Sequence, residues 1–196
     1  MNKELLEKIK KLREETGAPI SLCKEALENT NGNIEEAKKY LVKKGEALLE
    51  KRGEKITGHG IIEGYIHFNG RVGALVELRA ETDFVVKNPE FKQLAHEIAL
   101  QIATMNPKYL SRESIPPDVL ETKKEELMID LKDKPQDIKE KIVEGRLEKW
   151  FEEVCLLDQK YIKDENLKIK DLISNFANKC GEKIEVKRFV RLSIND

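Results

Sequence analysis

Leu5, Ile9 and Leu12 recur at helical spacing near the start of the chain and predict a first short helix. It stops at "TGAP", where Gly17 suits a C-terminal cap and Pro19 blocks continuation. Ser21 is placed to cap a second helix with Leu22, Ala26 and Leu27 inward, ending at "NTNG", where Gly32 supplies a turn. Asn33 caps a third, with Glu36 three residues on as in a capping box, and Ile34, Ala37 and Leu41 share one face up to Gly45. Three short helices over residues 1–45 predict a small bundle. A core that small suits a docking unit better than a catalytic body. "EALLEKRGEK", residues 46–55, reads as a short helical extension followed by a hinge, and marks a linker.

The pattern then changes to period two. "GIIEGYIHF", the dipeptide Asn69-Gly70 and "RVGALVELRAE" predict a β-hairpin. A two-residue turn sets Ile62, Ile66 and Phe68 among Arg71, Glu77 and Arg79, whereas a three-residue turn aligns the apolar faces better; the pattern leaves both open. Asn88 before Pro89 opens a helix whose stripe runs through Phe91, Leu94, Ile98 and Ile102 to Asn106-Pro107. After Pro116-Pro117, "DVLETKKEELMIDLKD" is helical, as is "KPQDIKEKIVEGRLEKWFEEV", with Ile138, Ile142 and Trp150 inward. "KIKDLISNFANKCG" is a last helix, and Ile184, Val186, Phe189 and Val190 have strand character. Residues 56–196 therefore predict an α+β domain, a small antiparallel sheet packed by helices.

Charge narrows the function. Charged residues make up 37% of the chain, yet Lys+Arg 36 and Asp+Glu 37 leave a net charge of -1, so general attraction to nucleic acid or membrane is not expected. No apolar run approaches the roughly 18 residues of a membrane span, and "MNKELLEKIKKLREE" is amphipathic, not a signal peptide. A soluble cytoplasmic protein is expected. Cys23, Cys155 and Cys180 are too scattered for a disulfide framework or a zinc site; reduced thiols are the expectation, with an intermolecular disulfide as the lesser alternative. His59, His67 and His96 form no cluster with carboxylates, so neither a metal nor a cofactor is expected. No phosphate loop, nucleophile elbow or catalytic triad stands out, and the chain reads as a non-enzyme.

One corner breaks the polar pattern. In "AETDFVVKNPEF", residues 80–91, an acid and a bulky aromatic stand side by side where a strand ends. Taken alone, Asp83 suits capping of the turn and Phe84 suits a core position under a corner; an exposed anchor is the alternative. Arg13, likewise, reads alone as a solvated helix residue paired with a Glu one turn away.

"LREETGAPISLCKEAL" at 12–27, "ETDFVVK" at 81–87 and "KPQDIKEKIVEGRLEKWFEE" at 134–153, in that order, resemble the bacterial elongation factor Ts family in its short, compact form. That family exchanges nucleotide on the translational GTPase elongation factor Tu. The sequence departs from its usual pattern at Pro19, Ser21, Leu22, Arg79, Ala80 and Val86, while Thr82, Asp83, Phe84 and Val85 are intact. The resemblance implies that these four dislocate the partner's Mg²⁺, with Phe84 as wedge and Thr82 and Val85 fixing the turn. It implies a ubiquitin-associated-like N-terminal bundle that grips elongation factor Tu through Arg13 and Ile20. It also implies a homodimer in which a second copy replaces the duplicated half of longer members. One rival is an interaction and dimerisation module without exchange activity. Another is an enzyme pairing Asp83 with His67 or His96 as acid and base.

Overall fold

In a computed structural model, the described residues are 3–16, 18–51, 56–129, 131 and 135–194. The mixed α+β architecture follows the expected order: three helices, then a small antiparallel sheet packed by helices.

Helices α1 (Lys3–Thr16), α2 (Ile20–Asn29) and α3 (Ile34–Lys51) enclose Ile9, Leu12, Ala18, Cys23, Ala26, Leu27, Ala37 and Leu41. Asn33 caps α3, its Oδ1 accepting the Glu35 and Glu36 N–H groups at 3.1 and 3.2 Å. The turn before it needs left-handed backbone, supplied by Asn31 (φ 50°) and Gly32 (φ 77°). One expectation fails. Ser21 does not cap α2: Pro19 holds the N-cap position, and its carbonyl accepts Cys23 N–H at 3.0 Å, because the fixed proline φ already suits helix entry. The helical extension expected after Gly45 is part of α3, which continues through that glycine to Lys51, since one glycine costs only about 1 kcal/mol against Ala. The cap assigned to Gly17 and the hinge at 52–55 lie outside the described residues.

Strands β1 (His59–Ile66) and β2 (Val72–Ala80) form the expected hairpin. Gly70, at φ 67°, donates its N–H to His67 O at 2.8 Å, and His67 N–H bonds Val72 O at 2.8 Å. The pairing sets Ile62 opposite Glu77 and Ile66 opposite Gly73, which is the register of the two-residue alignment and not the three-residue one. β1 has apolar residues on both faces, so matching one apolar face did not determine the pairing. Ile61 and Tyr65 pack toward the helices with Ala74, Val76, Leu78 and Ala80, while Ile62 and Ile66 face the other way.

Helix α4 (Asp83–Val86) and α5 (Pro89–Met105) follow β2, and α5 packs across β1 and β2. Asn88 Oδ1 caps α5 through Glu90 N–H at 2.9 Å, and Asn106 ends it in the left-handed region. Phe91, Leu94, Ile98 and Ile102 are all buried, as the stripe predicts.

Helices α6 (Pro117–Ile129) and α7 (Gln136–Val154) pack against each other. Ile138 is not inward: it is exposed, and Val143 is the buried residue among those of α7 described, because the helix packs on α6 and on residues 156–158 and not against a full core. Arg112 fixes the root of this pair. Its guanidinium bonds Glu148 at 2.7 and 2.8 Å and the buried Asp158 at 2.9 and 3.0 Å, and lies 4.6 Å over the Phe151 ring.

A two-stranded ribbon, β3 (Lys160–Tyr161) with β4 (Asp164–Lys168), was not predicted. It is held to α5 by the buried Glu97, which accepts from Tyr161 OH (2.8 Å), Lys163 Nζ (2.7 Å) and Gln93 Nε2 (2.6 Å). Helix α8 (Ile169–Cys180) ends at Gly181 (φ 75°), and β5 (Ile184–Ser193) pairs antiparallel with β2, giving the order β1-β2-β5. A bulge at Lys187 turns Ile184, Val186 and Phe189 all toward the helices. The N-terminal bundle meets this unit where α3 packs on α8, and Asn178 Nδ2 donates to Leu41 O at 3.4 Å.

Candidate functional site

β2 ends at Ala80, and the chain turns sharply into the single turn of α4. Thr82, with extended backbone at φ -125° and ψ 158°, is the N-cap; its hydroxyl accepts Val85 N–H at 3.5 Å. The next turn follows at once, because Asn88 N–H bonds Val85 O at 3.0 Å before α5 begins. Successive residues of a helical turn point about 100° apart, so Phe84 and Val85 cannot share a direction. Val85 is buried in the main core, and Phe84 is 82% exposed. An aromatic held that far out of its own core between two capped turns is a rigid apolar anchor.

Asp83 lies beside it, exposed, its Oδ2 accepting from Lys87 Nζ at 2.6 Å. That hydrogen bond, aided by the lysine charge, holds the Asp83 carboxyl below the usual carboxylate range, so it is ionised at neutral pH. Capping of the turn, the bland role open to Asp83, belongs to Thr82 instead.

A second segment supports the corner from 100 residues away. The Glu182 carboxylate accepts Thr82 N–H at 3.0 Å and the Thr82 hydroxyl at 2.6 Å. In the opposite sense, Glu81 Oε1 accepts Lys183 N–H at 2.6 Å. Neither link was anticipated. Nothing local in "CGEKIE" marks Glu182 as a partner of Thr82; only the pairing of β5 with β2 brings them together.

Arg13 and Ile20 sit apart from the corner, on the bundle. Arg13 is exposed in the last turn of α1, where a cation also suits the helix dipole, and Ile20 opens α2 at 55% exposure. The two flank the connection between those helices. Bundle and sheet unit meet where α3 packs on α8, with Asn178 reaching Leu41 O.

The sheet face turned away from the helices is apolar. Ile62, Ile66, Leu75, Val190 and Leu192 are exposed there, around Glu77, which bonds Arg79 (2.6 Å) and Arg188 (2.7 Å). All three cysteines are free thiols; Cys23 and Cys155 are buried and Cys180 packs against the main core, so none lies on this face. The acid–base pairing of Asp83 with His67 or His96 is not formed. His67 Nδ1 lies 3.2 Å from Tyr65 OH, and His96 Nδ1 lies 3.4 Å from Glu63. Among the described residues no group of His, Cys, Asp and Glu is arranged to hold a metal ion, and no helix is long and apolar enough to cross a membrane.

Comparison with known proteins gives the same answer over the whole length. A family model described as elongation factor Ts matches residues 2–196. The elongation factor Ts of Thermotoga maritima is 52% identical over 188 residues, covering 96% of this chain and 94% of that protein. That of Carboxydothermus hydrogenoformans is 46% identical over 190 residues, covering 96% and 88%. That of Thermosipho melanesiensis is 45% identical over 190 residues, covering 96% and 97%.

Proposed function

The chain belongs to the elongation factor Ts family, and from that premise we propose that it is a guanine nucleotide exchange factor for the GTPase elongation factor Tu in translation elongation. The observation that supports this reading best is Phe84, 82% exposed on a corner that is capped, hydrogen-bonded and anchored by Val85.

Exchange makes and breaks no covalent bond, so it needs no acid–base residue. It needs preferential binding to the nucleotide-free GTPase; by linkage, nucleotide affinity then falls by the same factor. The weak point of a loaded GTPase is its Mg²⁺, which demands near-octahedral geometry at 2.0–2.1 Å and tolerates little displacement of its supporting groups and waters. In this reading Phe84 enters an apolar gap of the partner and shifts those groups. Rigidity matters, because a mobile side chain spends interaction energy on its own ordering. Asp83, ionised and exposed, competes for polar partners near the metal, exchanging its lysine for them. Thr82 and Val85 hold the pair in place from above and below.

The bundle, residues 1–45, grips the nucleotide-binding domain through Arg13 and Ile20, with residues 46–55 as the linker to the 56–196 unit. Homodimerisation is part of the same proposal: the apolar open face of the sheet, around Leu75 and Val190, is a surface that a second copy covers. The cysteine positions favour a non-covalent dimer.

Linkage supplies the test. Mixed with elongation factor Tu on a sizing column, the protein should co-elute with the nucleotide-free GTPase and separate from it when GDP and Mg²⁺ are in excess. Equal co-elution under both conditions removes the differential binding on which exchange depends.

A further inference from the structure

We propose that Glu182 is a positioning residue for nucleotide exchange, holding the Phe84 wedge through Thr82; this rests on the exchange-factor reading above. A threonine hydroxyl has one proton and two lone pairs, and it caps α4 only while its oxygen is turned toward Val85 N–H. Giving its proton to Glu182 Oε1, at 2.6 Å, fixes the rotor with a lone pair left for that N–H. The other carboxylate oxygen takes Thr82 N–H at 3.0 Å. A carboxylate suits this place because both Thr82 groups are donors and both of its oxygens accept; charge shortens and strengthens such bonds.

Glu182 is itself held. It follows Gly181, whose left-handed backbone ends α8 with N–H to Ala177 O at 2.8 Å, and it precedes Ile184, paired with Ala80 in the sheet. Lys183 N–H returns a bond to Glu81, so the corner is strapped at two adjacent residues to the α8–β5 junction. One turn back, Lys179 pairs with Glu90 in the first turn of α5. Asn178 in turn touches α3 of the bundle. The α8–β5 junction thus carries both a contact to the bundle proposed to grip the GTPase and the support of the wedge proposed to open it. Its contribution is to fix where Phe84 stands relative to the bundle, and misplacement of about 1 Å at such a site can cost up to a hundredfold in rate.

The prediction separates positioning from stability. Thr82 is exposed and Glu182 half-buried, so Glu182→Ala and the near-isosteric Glu182→Gln should fold, with thermal unfolding only slightly below that of the wild type. GDP release from the GTPase is measured as a function of exchange-factor concentration. Both variants should lower the maximal rate, about tenfold for Ala and less for Gln, while the half-saturating concentration stays within about twofold. Thr82→Ala should lower the maximal rate similarly, and Thr82→Ala combined with Glu182→Ala should be no worse than either alone, since the two act as one unit. Amide hydrogen exchange at residues 82–88 of the free protein should accelerate in both Glu182 variants. A wild-type maximal rate in Glu182→Ala, or corner amides as protected as in the wild type, overturns the proposal alone. Absence of acceleration by the wild-type protein overturns the exchange reading and the proposal with it.

Discussion

Replacing Phe84 by alanine removes the anchor while leaving the corner that presents it. Phe84 is 82% exposed and lies outside the main core, so Phe84→Ala should change folding stability by no more than about 0.5 kcal/mol. The cost in the complex is larger. A phenylalanine offers roughly 200 Å² for burial, of which about 160 Å² is still in contact with water here; at about 25 cal/mol per Å² its docking stabilises by at most about 4 kcal/mol. Ordering and imperfect packing reduce that to about 2–3 kcal/mol, the usual range for an aromatic anchor. If the contact forms only as Mg²⁺ is displaced, the maximal rate of GDP release falls by about thirty- to a hundred-and-sixtyfold. The assay is stopped-flow release of labelled GDP at saturating exchange factor, with thermal unfolding of the same samples. Val85→Ala is the contrasting variant: it cuts into the core and should cost about 2–3 kcal/mol of stability. A Phe84→Ala protein that exchanges at the wild-type rate refutes the wedge. One that loses several kcal/mol of stability refutes the claim that Phe84 stands outside the core.

Three further outcomes are expected. Light scattering should report two chain masses for the wild-type protein and one for Leu75→Glu, which sets a charge on the apolar open face; one chain mass for the wild type removes the homodimer. Ile20→Ala and Arg13→Ala should raise the half-saturating concentration in the exchange assay about three- to tenfold and leave the maximal rate alone, as binding made equally in both states does; a lowered maximal rate contradicts that role. Acid stability should depend on Glu97. Burial opposes its charge, but hydrogen bonds from Lys163, Tyr161 and Gln93 outweigh burial and hold the carboxyl below its usual range. The stability it contributes is therefore complete above an unfolded-state pKa of about 4.3 and is lost as pH falls through the lower folded value. Denaturant titrations should show Glu97→Gln less stable than the wild type at pH 7, with the gap closing through that acidic window; a constant gap contradicts the linkage.

Local chemistry made much of this fold legible. Asn33 and Asn88 cap the helices they precede, because a cap is decided by a side chain and backbone groups two or three residues on. The stripe from Phe91 to Ile102 is buried as its spacing requires. Failures came where the deciding partner is distant or absent. The hairpin register was undetermined because Ile61 and Ile62 give β1 an apolar residue on each face. Ile138 is exposed because α7 has no full core to face, packing on α6 and on residues 156–158. The ribbon of β3 and β4 is too short and polar to show alternation; it is held by Glu97, more than 60 residues earlier. At the corner, the motif pointed to Thr82 through Val85, but not to the division of labour among them. The structure makes Thr82 the cap, Val85 the root and Phe84 the exposed member, and it adds Glu182, invisible from the sequence because strand pairing alone brings it near.

The proposed function rests on this chain loosening guanine nucleotide on its GTPase. Release of labelled GDP from elongation factor Tu, chased with excess unlabelled nucleotide at fixed Mg²⁺, tests it most directly. The release rate should climb with added wild-type protein and saturate at orders of magnitude above the spontaneous rate. A rate that stays at its spontaneous value while the two proteins are shown to bind would contradict it, and would leave a binding module in place of an exchange factor.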